Sequence, residues 1–225
     1  MRSHPLDCPI WSALASGQTA FGTDGALARR FAEDIRPFAA AVDASPEAIA
    51  ALGALAHADD DMSLLERAPP APPAGVALKM NAAGVQMVLT ELTPGADMAF
   101  DHLSDADAPD MLALATLTKP GPFRARTHKL GRFIGVRKNG LLIAMAGERL
   151  QMDEFVEVSG ICTHPDHRGR GLAAALTRVV SARIVEEGRT PFLHAYASNT
   201  GAISVYRKLG FAHRCDVIHA MWSRD

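Results

Sequence analysis

Ile161-Cys162-Thr163-His164-Pro165-Asp166-His167-Arg168-Gly169-Arg170-Gly171-Leu172 leads from a strand, through a loop, into a helix. Residues 155–163 read as the strand, rich in β-branched and apolar residues. Residues 172–187 read as the helix, stopped by Gly188. Gly169 and Gly171 let the backbone approach a ligand closely and adopt dihedrals closed to other residues. A helix that starts near Gly171 presents unpaired N–H groups and the positive end of its dipole. An anion, above all a diphosphate, is a natural guest there. Arg168 and Arg170 add charge of the right geometry. On the glycines alone, an ordinary tight turn with solvated arginines fits equally well. The loop is not a Walker A loop, because no Gly-Lys-Ser/Thr ends it, and it is a poor G-x-G-x-x-G dinucleotide fingerprint.

Outward from this loop the elements alternate. Downstream, residues 192–197 read as a strand, 200–209 as a helix and 211–220 as a strand. Upstream, residues 132–137 and 141–150 form a hairpin around Lys138-Asn139-Gly140, where Asn-Gly is a strong turn signal. Residues 104–117 read as a helix with Ser104 as N-cap and Asp105 and Asp107 in its first turn. Lys119-Pro120-Gly121-Pro122 breaks it, and residues 85–92 precede it as a strand. The order predicts an α/β protein with a mixed sheet and helices on its faces.

The first third of the chain is alanine-rich and reads as mainly helical. Leu27, Phe31 and Ile35 recur at helical spacing within residues 26–41, with a kink or an end expected at Pro37. Ser45-Pro46-Glu47 starts a second helix, with Ser45 as N-cap and Pro46 at the first position, running to about His57. Asp59-Asp60-Asp61 reads as a solvated turn. Ala68-Pro69-Pro70-Ala71-Pro72-Pro73-Ala74 favours an extended connection and marks an organisational boundary. Residues 1–74 are small for a free-standing core. They are expected to pack on a larger unit of residues 75–225.

The formal net charge of −2 over 225 residues gives no pull toward nucleic acid or an anionic membrane. No run is long and apolar enough to span a bilayer, and Met1-Arg2-Ser3-His4-Pro5 lacks the order of a secretory signal. Cys8, Cys162 and Cys215 are odd in number and far apart, with no C-x-x-C, which argues against a disulfide framework or a cysteine zinc site. A cytoplasmic location is the natural expectation.

Arg168-Gly169-Arg170-Gly171-Leu172-Ala173 resembles the Arg/Gln-x-x-Gly-x-Gly/Ala signature of the GCN5-related N-acetyltransferase (GNAT) superfamily. The likeness continues at Asn199, Ala202-Ile203, Tyr206 and Leu209-Gly210-Phe211, in the same order and at the right separation. Glu157-Val158-Ser159-Gly160-Ile161-Cys162-Thr163-His164-Pro165 is similar to the FR47-like branch, itself similar to glycine N-acyltransferases. The resemblance covers residue 85 to the C-terminus. It implies the acyl-CoA N-acyltransferase fold with an N-terminal, mainly helical extension. The activity it implies is transfer of an acetyl group from acetyl-CoA to a primary amine.

Under that resemblance, backbone N–H groups of Arg168, Gly169, Arg170, Gly171, Leu172 and Ala173 hold the diphosphate. Ile161, Cys162 and Thr163 pair with the pantetheine arm as if adding a strand. Gly160 is a plausible bulge whose backbone N–H polarises the thioester carbonyl. Tyr206 is the candidate general acid, two helical turns after Asn199 and so on the same face; its other reading is packing against the sheet. Asn199 hydrogen-bonds the cofactor, caps its helix, or does both. Glu157 is the candidate general base, among apolar neighbours expected to raise its pKa. Its other reading is an exposed strand carboxylate in a cross-strand ion pair.

His164 and His167 are assigned to loop packing and phosphate contacts, with no metal expected. Cys162 is read as a small hydrophobic residue of the strand, with no base beside it to make it a nucleophile. The expected partner is a small-molecule amine acceptor, an amino acid included; nucleic acid and membrane are not expected, and a dimer is left open. A catalytically silent CoA-binding module is the alternative from a different class.

Overall fold

The hairpin at Asn139-Gly140 forms. In a computed structural model that describes residues 4–96 and 98–224, β6 (Phe133–Lys138) runs antiparallel to β7 (Leu141–Gln151). Both turn residues take positive φ, the dihedrals that a two-residue hairpin of matching twist requires. Next come β8 (Phe155–Thr163), α4 (Leu172–Glu186), β9 (Thr190–Tyr196), α5 (Thr200–Lys208) and β10 (Phe211–Arg224). Ahead of the hairpin lie β4 (Val76–Leu89), the edge strand β5 (Asp101–Leu103) and α3 (Ala108–Thr118). Ser104 and Asp107 form a capping box on the turn that enters α3. The N-terminal part supplies α1 (Pro9–Ala15), β1 (Ala28–Arg30), β2 (Ala39–Ala41), α2 (Pro46–Ala54) and β3 (Met62–Glu66).

Eight strands make one sheet in the order β3-β10-β4-β9-β8-β7-β6-β5. Every neighbouring pair is antiparallel except β8 with β9. Strand alternation sorts the two faces. Ile134, Ala144, Ala146, Val156, Val158 and Leu193 point to one side, where Leu176, Val180 and Ile184 of α4 and Ile203 of α5 cover them. Phe133, Met145 and Cys162 point to the other, under Met111, Leu114 and Ala115 of α3. The N-terminal part fills the rest of that second face: Leu6, Ile10, Leu14, Phe31 and Ile35 pack with Leu150, Phe192 and Val217.

The expectation of a mainly helical N-terminal part fails over residues 26–41. That stretch is the two-stranded pair β1–β2, with Ala28 opposite Ala41 and Arg30 opposite Ala39. Pro37 prevents a continuous helix, and the methyl side chains of Ala28, Ala39 and Ala41 let the pair lie closely against Ala48 and Leu52 of α2 and against Trp222. Packing thus overrides alanine's helix propensity. The second helix starts where expected, with the Ser45 hydroxyl accepting from Ala48 N at 3.3 Å. Met62–Glu66, where no strand was expected, is fully buried as β3 and pairs with β10. Strand β4 begins at Val76, well before the expected start at residue 85, because β10 pairs with it down to Arg224↔Val76. Asp60, expected in a solvated turn, instead pairs with both Arg30 and Arg124.

Candidate functional site

The parallel pairing of β8 with β9 stops at Glu157↔Phe192, although β8 continues to Thr163 and β9 to Tyr196. Beyond that point the facing edges are open. Gly160 lies at the departure, at φ +64°. Between Met145↔Cys162 and Gly147↔Ser159 the register slips, so Ala146 faces both Gly160 and Ile161. This is the bulge expected from the sequence, and a Cβ at Gly160 would come within 2.8 Å of the Phe133 ring.

A cleft of about 590 Å³ begins at this open edge. Ile161, Cys162 and Thr163 of β8, Arg168 through Ala173 of the glycine loop, and Asn199 and Tyr206 of α5 all line it. Thr118, Lys119 and Pro120 close it from the end of α3. Gly169 and Gly171 both sit at φ +75°, and a Cβ at either would meet open space, so the glycines serve the backbone rather than crowded packing. The amides of Gly169, Arg170, Gly171, Leu172, Ala173 and Ala174 have no acceptor among the described residues. They converge at the start of a fifteen-residue helix, where partial positive charge collects. Burial, together with the nearby Arg170 and Lys138, holds His167 below its ordinary pKa. A polyanion with a long arm fits this cradle: phosphates at the helix start, amides along the free edge of β8.

Tyr206 is 8% exposed. Its ring packs edge-on against Phe211, and the residue lines the cleft. Burial pushes the phenol up to about 12. Cys162 in the same cleft reports what a thiol experiences there: burial pushes it up to about 11. A sulfur and a phenol in this cleft are therefore shifted upward together and stay close as proton partners. The raised value also leaves Cys162 a protonated, buried thiol. Asn199 caps α5, its Oδ1 accepting from Ala202 N at 3.2 Å, which leaves its amide NH₂ for the cleft. His164 caps the turn Pro165–His167 through Nδ1, which accepts from Asp166 N at 3.3 Å.

Glu157 does not line the cleft. It is fully buried on the face of the sheet that the N-terminal part covers, with both carboxylate oxygens on the Arg149 guanidinium of neighbouring β7. Its Oε1 also takes the His194 Nδ1 proton at 2.7 Å. Burial alone would raise its pKa, but Arg149 and His194 outweigh burial and hold it well below the carboxylate range. The apolar, pKa-raising surroundings expected from the sequence are thus overturned. The ion pair is cross-strand but buried, not exposed. A carboxylate held this way is a weak proton acceptor.

His194 is fixed by its other neighbour. Gln86 Nε2 lies 2.9 Å from the Leu6 carbonyl and 3.0 Å from His194 Nε2, while Gln86 Oε1 receives Arg214 Nη1 at 2.9 Å. The amide nitrogen therefore faces the ring, His194 Nε2 accepts, and the ring proton sits on Nδ1 toward Glu157. The imidazole is neutral; burial depresses its pKa despite Glu157.

Comparisons with known proteins bear on this arrangement. Residues 133–223 match the family profile described as FR47-like protein. No curated protein matches the chain. Among solved structures, the chain is similar to a GNAT-family protein from Novosphingobium aromaticivorans, with 41% identity and a TM-score of 0.93 over 99% of this chain and 100% of that one. It is also similar to a GCN5-related N-acetyltransferase from Kribbella flavida, at 19% identity and a TM-score of 0.61 over 95% of this chain and 92% of that one. The second likeness is one of fold.

Proposed function

The chain belongs to the GNAT family of acetyltransferases, and from that premise we propose that it transfers an acetyl group from acetyl-CoA to a primary amine. The acceptor is a small molecule or an amino acid, attacking directly in a ternary complex. One observation carries this reading: the acceptor-free amides of the Gly169–Gly171 loop and Tyr206 share one cleft with the open edge of β8.

Acetyl-CoA, when bound, supplies the acyl thioester. The amides from Gly169 to Ala174, with Arg168 and Arg170 beside them, hold its diphosphate. Ile161, Cys162 and Thr163 offer backbone N–H and C=O groups to the pantetheine amides. The bulge at Gly160 turns a backbone N–H toward the thioester oxygen, where negative charge grows during attack. The amine nitrogen forms the new C–N bond as the C–S bond breaks. Tyr206 gives its proton to the departing sulfur and regains one from solvent; the surplus proton of the amine goes to solvent. Glu157 anchors Arg149 rather than taking that proton. The three buried cysteines, none in a disulfide, fit a reducing compartment such as the cytoplasm.

Two measurements test the reading. Acetyl-CoA should raise the melting temperature progressively with the logarithm of its concentration, since it binds the folded state alone. A panel of amines should then reveal acceptors that release CoA thiol. A flat melting temperature across the titration would sink the cofactor assignment.

A further inference from the structure

Across the Pro120-Gly121-Pro122 segment from the CoA cleft lies a second cavity, on the face of the sheet that the N-terminal part covers. It has a volume of about 60 Å³ and is lined by Phe38, Arg149, His194, Tyr196 and His219, among others. One water needs ~10–15 Å³ by the same measure, so a group of several heavy atoms fits and a large one does not. A smaller space shares Arg149 and Pro120–Pro122 with it and runs to Ser159 and Gly160, the bulge at the open strand edge. The cavity thus opens toward the point where the acyl group would sit.

Its charges do not balance. Arg36 is 0% exposed. Its Nη2 reaches only the Pro122 carbonyl, at 3.5 Å, and its Nε and Nη1 are buried with no acceptor. Arg36 and Arg149 both lie against the Phe38 ring, with guanidinium carbons 4.6 and 5.4 Å from its centroid. Glu157 is the one carboxylate acting on Arg36, and Arg149 already holds both its oxygens. Both guanidiniums stay charged in a protein. His194 is neutral, and burial with Arg149, Arg36 and His194 beside it pushes His219 down to about 4, so it is neutral as well. The cluster holds two cations and one anion. Arg149 Nη1 has no partner among the described residues, and Arg149 lines both spaces. His219 Nδ1 lies 3.0 Å from the Tyr196 hydroxyl, and its Nε2 is buried without a partner. A buried cation without a counter-ion, beside buried donors without acceptors, is costly unless a ligand completes it.

We infer that this cavity receives the carboxylate of the acceptor, so that the second substrate is a small amino acid bound by Arg149 Nη1 in the field of Arg36. The inference rests on the acyl-transfer reading above and narrows its acceptor class. A carboxylate here restores charge balance and gives Arg149 Nη1 its acceptor. The amine, one carbon away, then lies toward Ser159 and Gly160.

The test compares each of the common amino acids with its carboxamide, its decarboxylated amine and, for glycine, aminomethylphosphonate, following CoA release by the intact protein. An amino acid should exceed its own amide and amine in kcat/KM by about a hundredfold or more, the scale expected when a site built for a polar group meets an analogue lacking it. Arg36→Met should raise KM for the amino acid at least tenfold and leave KM for the amide unchanged. Its melting temperature should not fall, because the substitution removes an unbalanced charge and keeps the Arg149–Glu157 pair. Equal use of acid and amide, a preference for the phosphonate, or an Arg36→Met variant that keeps the wild-type preference would overturn the inference. If CoA binds but no acceptor turns over, the same compounds are titrated thermally with CoA present. A melting shift with amino acids and not with their amides supports the carboxylate site while the transfer reading fails. No shift with either overturns the site itself.

Discussion

Glu157→Gln keeps the shape of the side chain and removes its charge. Arg149 and Arg36 would then share the interior with no anion on either, since Glu157 is the carboxylate that both face. Removing one partner of a buried pair costs about 3–5 kcal/mol. In a chain of this size, 1 kcal/mol moves the melting temperature by about 2–4 °C, so a fall on the order of 6–20 °C is expected. Differential scanning fluorimetry with a denaturant titration would measure it. The pH dependence adds a signature. The folded pKa of Glu157 lies below its unfolded value, so its stabilising effect is full above about pH 4.3. That effect is lost as pH falls toward the lower, folded value. The gap between wild type and variant should therefore close on acidification. Adding Arg36→Met to Glu157→Gln should return part of the lost stability. A variant that melts within about 2 °C of wild type yet loses a hundredfold or more in turnover, the scale of a missing general base, would refute this reasoning. Glu157 would then be a proton acceptor and not an anchor.

Tyr206→Phe removes a hydroxyl that makes no hydrogen bond to the described residues and keeps the ring against Phe211. Turnover should fall by about a hundredfold or more, with CoA affinity and melting temperature nearly unchanged; wild-type turnover in a variant that binds CoA would make Tyr206 a packing residue. Gly171→Val forces a β-branched residue to φ +75° at the mouth of α4. CoA affinity by calorimetry should drop by at least about tenfold, and unchanged affinity would remove the loop from the binding site.

Much of the cofactor cleft was legible because its parts are contiguous and governed by backbone rules. Asn139-Gly140, Ser104 with Asp107, Gly160, Gly169 and Gly171 each mark a backbone demand that few residue types meet. Ile161 to Thr163, Arg168 to Ala173, Asn199 and Tyr206 all converge on one cleft. The charged cluster beyond Pro120-Gly121-Pro122 was not legible. Arg36, Phe38, Arg149, His194, Tyr196 and His219 come from four separate stretches, and no spacing along the chain links them. Glu157 shows why: its neighbours in sequence are apolar, but its neighbours in space are Arg149 across the ladder and His194 across the parallel pair. The N-terminal part misled for the opposite reason. Its alanines favour helix locally, and only the surface of α2 and Trp222 makes them strand. A signal for β3 was present in the run Met62-Ser63-Leu64-Leu65, but without alternation a short apolar run does not declare itself.

The pairing of β3 with β10 also sets a timetable for biosynthesis. Met62 to Glu66 leaves the ribosome early, yet its hydrogen-bond partners, Ile218 to Trp222, are made roughly 150 residues later. At the usual ~5–20 residues per second, this apolar ribbon waits on the order of ten to thirty seconds with the edge that β10 pairs still open. During that interval the nascent chain carries an adhesive strand edge that its far end covers last. Contacts so distant in sequence also slow the search for the native state. This chain is therefore expected to depend on holdase protection while it is being made, and the vulnerable stretch is made well before the residues of the cleft.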